Sequence, residues 1–242
     1  EFYKLIDRAL DDELIFIADP ILDPISYGFT DSLVRYVNLR EKYPNIHIMM
    51  GLGNITELTH ADTSGINMIM LGIIEELKLN HILTTQVSRH CSTVIRETDL
   101  ARRIIHAASE NNLTPKHIND GLLVHHGYKD YAFCSDELIE MQGNIKDKNY
   151  RIYVNDDGIH LFNKNVYKIF SDPFDFYEHL EVSDDAGHAF YLGVELARAQ
   201  IAYQLQKEYQ QDEELSWGCL VDKKVDNKLQ SKELGPTFKK RK

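Results

Sequence analysis

The chain reads as an α/β protein: a parallel sheet laid down by repeated strand–helix units, followed by a smaller α+β module. Two observations carry this expectation. Up to about residue 110, short apolar runs alternate with stretches of helical periodicity, the pattern of buried parallel strands covered by helices. Beyond that point the pattern gives way to loops, a hairpin signal and one long helix.

Leu14-Ile15-Phe16-Ile17-Ala18 forms the first apolar run, and Leu33, Val34 and Val37 give helical spacing between Asp31 and Lys42. Ile46-His47-Ile48-Met49-Met50 predicts a second strand. A helix from Asp62 to Leu77 follows it, with Ile66, Ile69, Met70, Ile73, Ile74 and Leu77 turned inward. Asp62, beside Thr63 and Ser64, suits the N-cap of that helix. Ile82-Leu83-Thr84-Thr85 predicts a third strand, followed by a helix from near Thr93 to Ser109. A strand spacing close to 33 residues fits a βαβ unit, so the strands are expected to be adjacent and parallel, with helices on one side.

Thr114-Pro115 then breaks the helical pattern, and His125-His126-Gly127 reads as loop. A helix is expected from Ser135 to Gln142. Tyr150 to Val154 and Ile159 to Phe162 flank Asn155-Asp156-Asp157-Gly158, a strong hairpin signal. Asp172-Pro173 opens a short helix ending near Leu180. The longest helix runs from Ala189 to Tyr209, with Leu192, Leu196, Ala199, Ala202 and Leu205 on a face that needs cover from another element. The expected organisation is a sheet domain at 1–114, an α+β module at 115–221 and a basic, disordered tail at 222–242.

The net charge is −11, and residues 222–242 hold eight Lys/Arg against three Asp/Glu, leaving −16 on the body. An acidic body argues against nucleic acid, which demands clustered Lys and Arg. Cys91, Cys134 and Cys219 are too few and too widely spaced for a disulfide framework or a zinc site, which accords with a reducing cytoplasm. His125, His126 and Cys134 match no metal-ligand spacing either, so no metal is expected. No apolar run is long enough to span a bilayer, and no signal peptide opens the chain. Glu1 lies directly in a helical stretch, so the chain is expected to be part of something longer. Arg89-His90 and Arg96, Arg102 and Arg103 could contact phosphate or line a helix face; the helix face is favoured for Arg102 and Arg103.

Polar residues collect after each strand: Asp19 and Asp23, then Asn54, then Thr85, Gln86 and Ser88. Ligands of parallel α/β folds sit at the C-terminal strand ends, so these side chains form one candidate layer.

The strand ends resemble those of pterin-binding barrels. Ile15 to Ala18 runs into Asp19-Pro20, Gly28-Phe29 follows, and the second strand ends in Gly51-Leu52-Gly53-Asn54. The string from Gly51 to Leu58, with Asp62 and Gly65-Ile66-Asn67 after it, is most similar to the dihydropteroate synthase-related proteins of tetrahydromethanopterin-dependent one-carbon metabolism. The stretches from His188 to Gly193 and from Gln211 to Glu213 are similar to a C-terminal extension of those proteins. The resemblance spans most of residues 14–220. It implies that the sheet is the last three βα units of a TIM (β/α)8 barrel whose first five strands are missing. It also implies a pterin as substrate or ligand, with no covalently bound cofactor. The pterin-binding set is then Asp19, Asn54, Gly51, Gly53, Asp23 and Thr85, and no catalytic residue is assigned.

Elementary chemistry fits that set. A pterin offers its 2-amino group and N3–H as adjacent donors, which one carboxylate accepts together. An amide such as Asn54 both donates and accepts, and Gly51 and Gly53 would let backbone approach a flat ring. Asp19 serves equally well as a turn residue before Pro20, and Asp23 reads more naturally as a cap or turn.

Dihydropteroate synthases carry cations after the second and third of these strands, where a diphosphate leaves. Here those places read Asn54-Ile55-Thr56 and Thr84-Thr85-Gln86-Val87-Ser88, with Arg89 and His90 just beyond. Two functions stay open: a dihydropteroate synthase-like transferase in tetrahydromethanopterin or folate-type cofactor biosynthesis, or a pterin-binding one-carbon transfer or sensing module without condensation. A truncated, inactive product is a third. The expected partners are the pterin and either a second copy or the missing N-terminal barrel half, with no nucleic acid and no membrane.

Overall fold

The computed structural model describes residues 1–222 of the chain and divides into two units. The first comprises Glu1–Val124 with Gly218–Leu220, and the second His125–Trp217. Beyond Asp222, the basic tail expected at 222–242 lies outside the described residues.

In the first unit, helix α1 (Phe2–Asp11) leads to β1 (Ile17–Ala18), α2 (Phe29–Lys42) and β2 (His47–Gly51). A single-turn helix α3 (Gly53–Thr56) follows, then α4 (Thr63–Glu76), β3 (His81–Leu83), a 3-10 turn at Arg89–Cys91 and α5 (Val94–Glu110). The sheet has the order β1-β2-β3 and is parallel throughout. Ile17 stands opposite His47, Ala18 opposite Ile48, Met49 opposite His81 and Gly51 opposite Leu83. The parallel, sequential order expected from the apolar runs is thus the one that forms. Leu14 and Ile15, expected within the first strand, precede it as exposed chain.

The two faces of this sheet differ. Ala18, Ile48 and Met50 are buried in one core with Ile6 of α1, Tyr36 and Leu39 of α2, Met70, Leu71 and Ile74 of α4, and Ala101 of α5. Strand side chains alternate between faces, so the residues between them point the other way. Ile17 is 49% exposed, Leu83 51%, and Ile15 just before β1 is fully open. Among the described residues, helices therefore cover one face only.

Two polar groups, the half-buried Arg40 and the buried Glu97, brace the covered side. Arg40 donates to the carbonyls of Leu77 (3.0 Å), Pro44 (2.8 Å), Ile46 (3.0 Å) and Lys78 (2.9 Å), tying the end of α2 to the loops that enter β2 and β3. Glu97 is fully buried and accepts from Thr63 (2.6 Å), Asn67 (3.0 Å) and Thr93 (2.7 Å), joining α5 to α4. Arg102 and Arg103 both pair with Asp99, at 2.8 and 2.6 Å, so they line a helix face as favoured above. Asp62 takes the N-cap position of α4.

The second unit contains α6 (Ser135–Gly143), β4 (Arg151–Asn155), β5 (Gly158–Phe162), β6 (Tyr167–Phe170), a 3-10 stretch (Pro173–His179) and α7 (Ala186–Leu205). Its sheet is antiparallel in the order β4-β5-β6. The predicted hairpin is present and closes tightly: Gly158 holds a φ of +141°, and the Asp157 amide donates to the Asn155 side chain at 2.9 Å. The third strand was not expected. Central β5 is buried along its whole length, and His160 within it bonds Asn155 (2.6 Å) and Tyr167 (2.9 Å). Burial lowers its pKa, keeping the imidazole neutral.

Helix α7 begins earlier and ends sooner than its periodicity suggests. Asp185 accepts from the His188 amide at 2.9 Å and so caps a start before Ala189, while Gln206 turns left-handed and stops the helix. Leu192, Leu196, Ala199 and Ala202 are buried against the sheet, whereas Leu205 is half-buried. Leu196→Ala is expected to destabilise this unit by roughly 2–5 kcal/mol, because such a site cannot collapse fully around the lost volume. Urea unfolding monitored by the circular dichroism of the full chain measures the loss.

Candidate functional site

The candidate layer lies beyond the C-terminal ends of β1, β2 and β3, and each residue is placed by its strand end. Asp19 follows β1 directly. Its Oδ1 accepts from the Ile21 amide (2.9 Å) and the buried Tyr36 hydroxyl (3.0 Å), while Oδ2 has no hydrogen-bond partner among the described residues. Burial, and then the Asp19 carboxylate, drives the Tyr36 pKa upward, so this phenol stays a donor at any ordinary pH. The turn thus occupies one oxygen of Asp19 and leaves the other without a partner among the described residues.

Asp23 is engaged. Arg35, on α2, reaches its Oδ2 at 2.7 Å and also donates to the Pro20 (3.2 Å) and Ile21 (2.7 Å) carbonyls, clamping the loop after β1. Gly28 opens α2 at a φ of +104°, and a side chain there would come within 3.2 Å of that same Asp23 oxygen. Asp23 serves the loop, as a cap or turn residue would.

Asn54 sits in α3 and donates its amide to the Leu22 carbonyl at 2.7 Å, which joins the second strand end to the loop after the first. Its Oδ1 has no partner among the described residues. Gly51 ends β2 with clear space on its side-chain side, whereas a side chain at Gly53 would lie 2.9 Å from the Thr85 hydroxyl. Gly51 leaves room beside the layer, and Gly53 lets the third strand end approach.

Thr85 in turn is held by Glu57, a residue that sequence reasoning passed over. Glu57 accepts from the Thr85 hydroxyl (3.2 Å) and from the Val87 and Ser88 amides (both 2.8 Å). These donors, Ser88 foremost, lower its pKa to about 2. His90 contacts the Thr56 carbonyl at 3.0 Å, and the buried Cys91 thiol donates to the same oxygen at 3.2 Å. Burial and the neighbouring carboxylate of Glu57 push that thiol up to about 11, so it is not a nucleophile.

Asp19, Asn54, Gly51, Gly53 and Thr85 therefore share one end of the sheet and are linked through Leu22 and Glu57, with Asp23 turned to Arg35. The layer offers free carboxylate and amide oxygens as acceptors, beside a sheet face without helices. Among the described residues, no group of three or more His, Cys, Asp or Glu is arranged to hold a metal, and no helix is long and apolar enough to cross a membrane. His126 in the second unit contacts the Leu205 carbonyl at the end of α7.

Comparison with known proteins adds one relative. The chain is similar to the uncharacterized protein MJ0107 of Methanocaldococcus jannaschii, 31% identical over 241 residues that cover 88% of this chain and 44% of that protein. The chain thus spans less than half the length of this relative. No family model matches the chain, and no solved structure does.

The Glu57 anchor is testable by titration. Its folded pKa lies below the ordinary value of a carboxyl, so the anchoring is complete above about pH 5 and is lost as pH falls through about 2. The carboxyl carbon of Glu57 is expected to titrate near that pH by NMR, with the Val87 and Ser88 amide shifts following it. In Glu57→Gln the two amide shifts should lose this titration, and a titration near 4 in the parent chain would remove the anchor.

Proposed function

We propose that the first unit is the last three βα units of a pterin-binding (β/α)8 barrel, and that the strand-end layer binds the pterin of a dihydropteroate synthase-like transferase. The observation that carries this reading is the half-engaged Asp19. A rigidly held carboxylate at a strand end, with one oxygen fixed by Tyr36 and Ile21 and the other without a partner, suits the paired donors of a pterin edge. The acceptor oxygen of Asn54 and the open side of Gly51 lie in the same layer. The bare inner face of the sheet is what a barrel segment would present. A relative of which the matched stretch makes up only 44% leaves room for the other strands. Three free thiols accord with a cytoplasmic location.

A second reading, pterin-dependent one-carbon transfer or sensing without condensation, is favoured by the charges at the site. Release of diphosphate demands cations around the leaving group. Asn54 and Thr85 occupy the two strand ends where these would stand, and Arg35 is committed to Asp23.

Calorimetry with a reduced pterin, in a polypeptide that includes the remaining barrel strands, tests the shared part of both readings. Asp19→Asn is expected to weaken binding by about 2 kcal/mol, since a donor would then face a donor. Unchanged affinity would assign Asp19 to its turn alone. Formation of a pterin–arylamine product from a pterin diphosphate separates the two readings.

A further inference from the structure

The second unit carries a groove of about 410 Å³ along the outer edge of β4, independent of the strand-end layer. β5 pairs with one side of β4, and no strand among the described residues pairs with the other. The hairpin closes at Asn155 and Gly158, so alternate residues exchange bonds with β5, and those between, Ile152 and Val154, aim their backbone groups at the free edge. The side-chain amide of Gln211 occupies the first edge position, accepting from the Ile152 amide at 2.9 Å and donating to the Tyr150 carbonyl at 3.3 Å. It does there what a peptide group of a neighbouring strand would do. The next edge groups, the Ile152 carbonyl and the Val154 N–H, have no partner among the described residues, and both residues line the groove.

The opposite walls are fixed. Glu195, buried in α7, accepts from the Tyr209 hydroxyl (2.8 Å) and the Asp212 amide (3.1 Å), which holds the segment Glu208–Gln211 in place. On the other side Phe133 packs edge-on against Tyr153, with ring centres 5.6 Å apart. Tyr131 and Phe133 give the groove apolar wall, and Asp130 and Glu208 put carboxylates on it. The cation beside them, Lys129, makes an exposed pair with Glu208 and offsets only part of that charge. An open strand edge with ladder groups in register is a template for another chain.

We propose that this groove receives an extended, basic segment of a partner protein, which adds to β4 as a further strand beyond Gln211. The Ile152 carbonyl and Val154 N–H form the ladder, alternate apolar side chains of the segment meet Tyr131 and Phe133, and its cations face Asp130 and Glu208.

The test titrates the full chain with an acetylated, amidated Lys-Val-Lys-Val-Lys-Val peptide. Its controls are the same peptide N-methylated at alternate residues and a version with Glu in place of Lys. Saturable binding is expected, weakened about tenfold or more by N-methylation or by the acidic version. Amide exchange at Val154 should slow by about the same factor at saturation. The exposed pair of substitutions Asp130→Lys and Glu208→Lys should weaken binding similarly while leaving the melting temperature unchanged. No saturation, equal binding of the N-methylated peptide, or unaltered exchange at Val154 would each overturn the proposal.

Discussion

A parallel sheet built from short apolar strands needs cover on both faces, and the sheet of the first unit has it on one. Everything on the covered side follows from that packing: Ala18, Ile48 and Met50 meet the helices, Arg40 and Glu97 fix the helices to the loops and to one another, and α2 carries Tyr36 and Arg35 to the end of β1. The bare side is equally informative. Ile17 and Leu83 are ordinary strand residues left about half exposed, at 49% and 51%, and each outer strand has an edge unpaired among the described residues. In the barrel proposed above, this face would become part of the enclosed core. The candidate layer sits where a barrel of this kind places its ligands.

The layer owes its geometry to groups outside the proposed pterin-binding set. Tyr36 and Ile21 fix one oxygen of Asp19, Leu22 takes the donor half of Asn54, and Glu57 gathers Thr85, Val87 and Ser88 into one loop. Apart from Ile21, which shares the loop of Asp19, each of these partners lies on a different strand end from the residue it holds or on the helix behind it. A ligand resting on the free oxygens would therefore meet groups already oriented before it arrives, which lowers the ordering cost of binding.

Much of this was legible in the sequence. Apolar runs gave the three parallel strands and their order, because a short, mostly apolar stretch such as Ile46 to Met50, broken only by His47, between two helical patterns has few other uses. Asn155-Asp156-Asp157-Gly158 gave the hairpin, since the positive φ at Gly158 restricts that position chemically. The third antiparallel strand was missed because Tyr167-Lys168-Ile169-Phe170 is short and mixed in polarity, and its register is set by β5. The end of α7 was misplaced because Gln206 turns left-handed without a glycine to announce it. Glu57 was invisible as an anchor: a single carboxylate between Thr56 and Leu58 shows no pattern until β3 and its loop fold beside it. The pairing of Asp23 with Arg35 depends likewise on where α2 lies. Local chemistry shows in the sequence, whereas side-chain partners joined across separate elements do not.

The crystal structure of the longer Methanocaldococcus jannaschii protein tests the central claim most directly. The segments equivalent to β1 and β3 should each be hydrogen-bonded on both edges to parallel strands, with the residues equivalent to Ile17 and Leu83 enclosed in one barrel. A separate domain that leaves this sheet three-stranded, or a helix laid across its bare face, would contradict it.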